Sequence, residues 1–126
     1  MKKTFGKIKL MGLAIIFTLG LLFFPNGTTT VFAAEVASGN GWTLDDAGVF
    51  TLTEDIPYVE GQPYEWAPYA EQIKEIVVAE GVTEIPAIAF SSYNGVNYSQ
   101  LQKVTMSSTV KVIGLSAFAD NPTLTE

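Results

Sequence analysis

The chain contains no cysteine and no histidine. Those two absences exclude a disulfide framework, a lipid-modified cysteine and the common zinc ligand sets. They also exclude Ser-His-Asp and Cys-His nucleophilic catalysis. No glycine-rich phosphate loop with a lysine occurs, and no D-x-D-x-D-G calcium loop. Two carboxylate pairs, Asp45-Asp46 and Glu54-Asp55, have acid/base chemistry available to them. Both fall at a turn or strand end, where aspartate is expected for backbone reasons. The residue types thus point away from an enzyme and call for no cofactor and no metal.

Basic residues are also scarce where it matters. Every one of the 13 acidic residues lies beyond position 33, against only Lys74, Lys103 and Lys111 on the basic side. That segment carries a net charge of −10 (3 − 13). Such a charge repels phosphate backbones and anionic lipid surfaces, so nucleic acid is not an expected partner.

Only one long apolar run is present, from Leu10 to Phe24, preceded by Lys2, Lys3, Lys7 and Lys9. Pro25-Asn26-Gly27 breaks it, and Val31-Phe32-Ala33 supplies modest side chains at the positions a signal peptidase reads. This is the layout of a secretory signal peptide over residues 1–33. An uncleaved anchor needs about 20 apolar residues to cross the hydrocarbon layer, more than this run supplies. No stable membrane span is therefore expected after its removal. Cleavage after Ala33 fits best. Cleavage after Ala34 would put bulky Phe32 at −3, and cleavage after Ala37 would put Glu35 there.

Residues 34–41 are small and polar and read as a linker. Residues 42–72 read as an N-terminal cap. Its first part is a β-hairpin, with Asp45-Asp46-Ala47-Gly48 as the turn and Trp42, Leu44, Phe50 and Leu52 as the apolar face. Its second part, residues 56–69, carries Pro57, Tyr58, Pro63, Tyr64, Trp66, Pro68 and Tyr69 and reads as an ordered aromatic loop. Aromatic residues at this density cover the end of a stack or form a sugar-stacking platform through Trp66, Tyr64 and Tyr69.

From Ile73 a motif is written twice. Ile73, Ile76, Val78, Val82, Ile85, Ala89 and Phe90 recur as Leu101, Val104, Met106, Val110, Ile113, Ala117 and Phe118, at a constant offset of 28 residues. The repeats occupy 73–126, as units 73–100 and 101–123 with a third beginning at Leu124. A period of this size predicts a repeat solenoid, mainly β with short helical turns at Ala-Phe, in which each coil depends on its neighbours. The longer first unit places its excess in Ser91 to Ser99, and insertions of this kind map to one face. Tyr93 and Tyr98 make that segment a candidate contact loop.

At these residues the chain resembles the BspA-like class of bacterial leucine-rich repeat surface proteins. That unit runs approximately L-x-x-V-x-I-P-x-x-V-x-x-I-G-x-x-A-F-x-x-C. Leu101, Val104, Met106, Val110, Ile113-Gly114 and Ala117-Phe118 follow it, as does Ile73 to Phe90. The departures are Ala79 and Ser107 for the Pro, Pro86 for the first Gly, and Tyr93 and Asn121 for the Cys. The resemblance implies a leucine-rich-repeat stack on a secreted or cell-surface protein. It implies adhesion or binding as the function, toward an extracellular protein or a cell-surface glycan. The alternative is the targeting and spacer region of a larger secreted cell-wall enzyme. Candidate contacts are Trp66, Tyr64, Tyr69, Tyr93 and Tyr98.

Overall fold

The computed structural model describes residues 21–23, 29–31 and 33–126. Most of the targeting segment expected over 1–33 lies outside the described residues. Within it, β1 (Leu21–Phe23) pairs antiparallel with β2 (Thr29–Val31). No helix among the described residues is long and apolar enough to cross a membrane.

The rest is mainly β. A five-stranded sheet holds β3 (Glu35–Gly39), β4 (Trp42–Asp45), β5 (Val49–Leu52), β6 (Glu75–Val78) and β8 (Lys103–Met106) in that order. The first three strands pair antiparallel, and β5, β6 and β8 then run parallel. A second, two-stranded parallel ladder joins β7 (Glu84–Ile85) to β9 (Val112–Ile113).

The hairpin forms where the alternation places it. Asp45 ends β4, and its Oδ1 accepts from the N–H groups of Ala47 (3.0 Å) and Val49 (2.9 Å). Gly48 follows at φ +88°, a conformation that side chains with a Cβ resist. Trp42, Leu44, Phe50 and Leu52 are all buried on the face that the period-2 pattern selects.

Three expectations are corrected. Residues 34–41 are not a linker: Glu35–Gly39 is the edge strand of the sheet. Small residues at Ala37, Ser38 and Gly39 lie flat against β4, with Ala37 in the core. Within the aromatic loop, Ala67–Gln72 is a 3-10 helix with Pro68 in its first turn, where proline's missing N–H costs nothing. The Ala-Phe segments are hydrogen-bonded turns rather than helical ones. Ile88 (φ 55°) and Ser116 (φ 53°) take the left-handed conformation in both units, which stops a right-handed helix from propagating.

The two repeats stack in register. Ile76 lies opposite Val104 and Ile85 opposite Ile113, each pair 28 residues apart. Outside the ladders, Ile88 N–H donates to Leu115 C=O (2.9 Å), Phe90 to Ala117 (2.7 Å) and Ser92 to Ala119 (3.1 Å). Hydroxyls join the turns: Thr109 Oγ1 reaches Val82 C=O (2.8 Å) and Ser107 Oγ reaches Ala79 C=O (3.0 Å). Thr125 and Glu126 N–H groups donate to Gln102 C=O, and Val104 N–H donates to Glu126 C=O, so the third restart also runs alongside.

The first unit buries its whole inward set, Ile73, Ile76, Val78, Val82, Ile85, Ala89 and Phe90. In the second unit Leu101 and Ala117 are buried, but Met106 and Ile113 are 39% and 54% exposed. Inwardness in this architecture needs a layer on both sides. The first unit lies between the hairpin and the second unit, whereas Met106 and Ile113 have a packed layer on one side only.

The second ladder begins on a side chain. Thr83 C=O accepts from the N–H groups of Lys111 (2.8 Å) and Val112 (3.2 Å). One level earlier, Asp55 Oδ1 takes the same part toward Thr83 N–H (2.7 Å) and Glu84 N–H (3.1 Å), again 28 residues before Thr83. Asp55 Oδ2 also accepts from the Thr83 hydroxyl (2.6 Å). These bonds, that hydroxyl first, hold the Asp55 carboxyl below its ordinary value of 3.8. A lowered folded-state value gives stability that is present above the ordinary range and lost as pH falls through the lowered value. Asp55→Ala is therefore expected to lower the melting midpoint near pH 6–7, with the gap to the parent closing on acidification below about pH 4. A gap that stays constant from pH 7 to pH 2 would contradict this assignment.

Candidate functional site

Aromatic residues organise the interior before they form any surface. The Trp66 ring is 1% exposed, and both of its faces are covered. Tyr64 stacks on it at 4.7 Å between centroids and 15° between planes, and Phe90 stacks at 5.5 Å and 23°. The Phe50 and Trp42 rings meet it in edge-on geometry at 5.2 and 6.1 Å. The indole N–H donates to Ala89 C=O at 3.1 Å. The stack continues through Phe90 to Phe118 at 5.5 Å and 14°. Trp66 thereby ties the aromatic segment to the inward Phe of both repeats, and no sugar ring has a free indole face to stack on.

Of the five candidate contact residues, the structure brings three together. Tyr64, Tyr93 and Tyr98 line one groove of about 370 Å³ with Tyr58, Gln62 and Asn94. Trp66 lies beneath it, and Tyr69 packs on Trp42 at 6.0 Å, away from the groove lining. Tyr98 is 1% exposed and forms the floor, its hydroxyl donating to Ala89 C=O at 3.2 Å. Tyr98 and Trp66 are therefore core residues, each placed by a polar atom that finds the same buried carbonyl. The open rings are Tyr58, at 42% exposed, and Tyr93, at 57%.

Two loops make the groove. One wall is the segment around Tyr58 to Ala67, pinned where the Tyr64 hydroxyl donates to Ala87 C=O at 2.6 Å. The other is the insertion 91–99, pinned at its base. Ser92 Oγ accepts from Tyr98 N–H (3.0 Å) and donates to Asn121 Oδ1 (2.8 Å). Asn121 Nδ2 in turn donates to the carbonyls of Phe90 (2.7 Å) and Phe118 (3.0 Å). The tip turns at Asn94-Gly95, both left-handed (φ 53° and 86°), a pair suited to a primed turn. The loop therefore presents Tyr93 on a firmly anchored base.

The groove lining contains no Asp, Glu, Lys or Arg. Burial raises the Tyr64 hydroxyl to about 12, with the neighbouring Tyr58 adding to the effect. Burial also pushes Tyr98 well above its ordinary value. Tyr64 and Tyr98 therefore stay neutral at physiological pH. The chemistry of the walls is ring faces with amides and backbone around them, which suits an uncharged ligand with an apolar face.

Sequence reasoning missed Tyr58, Gln62 and Asn94. Tyr58 carries the same signal as Tyr64, an aromatic residue between prolines. Gln62 and Asn94 show no signal beyond lying in the two loops that converge.

No protein-family model and no curated protein matches the chain. A crystal structure of a leucine-rich repeat protein from Eubacterium ventriosum ATCC 27560 matches it at 32% identity and a TM-score of 0.55. The match covers 64% of this chain and 21% of that one, so the chain spans about a fifth of its neighbour's length. This is a leucine-rich-repeat-type relationship. It accords with a mainly β repeat module, and the 28-residue register of the ladders gives that module its physical basis.

Proposed function

We propose that this protein is an exported, non-catalytic solenoid module of the BspA-like kind, acting in adhesion at the cell surface. Its ligand is an uncharged segment of a cell-surface glycan, held in the groove between residues 58–67 and the 91–99 insertion. One observation carries this reading: a charge-free, tyrosine-walled concavity on a segment with a net charge of −10 (3 − 13). An acidic protein repels anionic polymers, and a cationic ligand would find no counter-charge in the groove lining. What remains is a neutral ring whose C–H face packs on Tyr58 and Tyr93.

Titration calorimetry with neutral and uronic-acid-containing cell-wall oligosaccharides tests the proposal. Neutral oligosaccharides are expected to bind, and Tyr93→Ala to weaken them by about tenfold, equivalent to about 1.4 kcal/mol. The melting midpoint should stay unchanged, because the Tyr93 ring is more than half exposed. Binding confined to the anionic oligosaccharides would sink the glycan assignment. So would binding of an extracellular protein that neutral glycans do not displace.

A further inference from the structure

We infer that export processing cuts after Ala33 and creates an ion pair between the new α-ammonium of Ala34 and the Asp46 carboxylate, pinning the first residue before the edge strand to the hairpin turn. The inference rests on the export reading proposed above and adds what the processed end does.

The geometry is already in place. Ala34 N–H donates to Asp46 Oδ1 at 3.2 Å, and Asp46 N–H donates back to Ala34 C=O at 2.8 Å. Hydrolysis of the Ala33–Ala34 bond adds water across it, leaving a carboxylate on Ala33 and an ammonium on Ala34. The nitrogen that now donates as a neutral amide would donate as a cation, from the same position to the same oxygen. Charge-assisted bonds of this kind are shorter and stronger than neutral ones.

The other two cuts spoil this arrangement. Cleavage after Ala34 removes both bonds to Asp46. Cleavage after Ala37 removes Glu35, Val36 and Ala37, which is most of β3 and includes a core residue. A cut after Ala33 alone keeps the whole strand and both of its terminal bonds.

Among the described residues, this corner holds no cation. Glu35 pairs across from Asp45, and Asp46 follows in the turn, so three carboxylates cluster at this corner. Asp45 Oδ1 is already occupied by two backbone N–H groups. The basic residue near the turn is Lys74, whose side-chain carbons pack under Gly48, on the β6 side of the hairpin. An α-ammonium at Ala34 supplies the positive charge that the other described residues do not place at this corner.

The pH dependence has a defined sign. An ordinary α-amino group titrates near pH 8, and an adjacent carboxylate raises that value in the folded state. The stabilisation is then complete below about pH 8 and lost as pH rises through the raised value.

The experiment is to express the full chain in a secreting bacterial host and sequence the N-terminus of the exported protein. The expected first residue is Ala34. Asp46→Asn in the exported protein should lower the melting midpoint by about 2–5 °C at pH 6, with the gap closing above about pH 9. Selective acetylation of the α-amine should abolish that pH dependence. An exported chain beginning at Glu35 or Ser38 overturns this inference and leaves export intact. Retention of the uncleaved chain in the cell overturns both. A start at Ala34 with an Asp46→Asn gap that is absent, or unchanged from pH 6 to pH 10, overturns the ion pair.

Discussion

Replacing Trp66 by alanine is expected to cost about 3–5 kcal/mol, enough to unfold much of a small domain. The ring is 1% exposed and stacked on both faces, so its removal leaves a cavity between Tyr64 and Phe90. Both neighbours belong to different layers, the aromatic segment and the first repeat. Collapse of that cavity would require the two layers to move together, which the ladder from Asp55 to Thr83 resists. Trp66→Phe should cost far less, about 1–2 kcal/mol. It keeps an aromatic ring between Tyr64 and Phe90, losing the indole N–H and part of the ring volume, and Ala89 C=O retains the Tyr98 hydroxyl as a donor. Urea denaturation of the parent and both variants checks the ordering. Equal losses for alanine and phenylalanine would contradict the argument that a ring filling the space between Tyr64 and Phe90 carries most of the stability.

The second large effect is expected at Gly114. A Cβ built there would come within 2.5 Å of Ala87 N, 2.8 Å of Ile85 O and 2.8 Å of Pro86 C. All three are backbone atoms of the preceding coil, and no rotamer change can move them. The Gly114 N–H also donates to Ile85 C=O at 2.7 Å, so the coils cannot separate without losing that bond. Gly114→Ala should therefore cost about 1–3 kcal/mol, and Gly114→Val more. Gly95 provides the contrast. It has a left-handed φ of 86° and open space where a Cβ would go. Asparagine accepts that conformation and is tolerated at 95, whereas it is not tolerated at 114. Thermal melts of Gly95→Asn and Gly114→Asn distinguish torsion from space. Comparable midpoints for the two would refute the close-packing role of Gly114.

Much of the architecture was legible because repeats are periodic. An offset of 28 residues in the apolar positions is a statement about which backbone atoms can pair, and the ladders of Ile76 with Val104 and Ile85 with Ile113 follow it. The hairpin was legible from period-2 alternation around a turn sequence. The edge strand Glu35–Gly39 was not, because Glu-Val-Ala-Ser-Gly has small polar residues and only one side chain to bury, Ala37. Its strand character comes from the partner β4, whose unpaired backbone it completes.

The candidate site divided along the same line. Aromatic density marked the right segment, and the five-residue excess marked the right loop. Which rings face solvent was not legible, because Trp66, Tyr64 and Tyr69 share one composition and differ only in what lies over them. Trp66 and Tyr98 lie inward under other rings, and each finds Ala89 C=O as the acceptor that its buried donor needs. Met106 and Ile113 repeat Val78 and Ile85 in sequence yet lie at the surface.

The sequence by itself determined the period of the stack, its acidic charge and the absence of cysteine and histidine chemistry. These properties depend on residue identity and spacing alone. Only the tertiary structure decided which aromatic residues are core and which are wall, and that two separate loops meet in one groove. It alone decided that Asp55 and Asp46 complete backbone edges. Those outcomes depend on which layer covers a residue and which carbonyl or amide lies within reach, and the chain acquires both only when its coils stack.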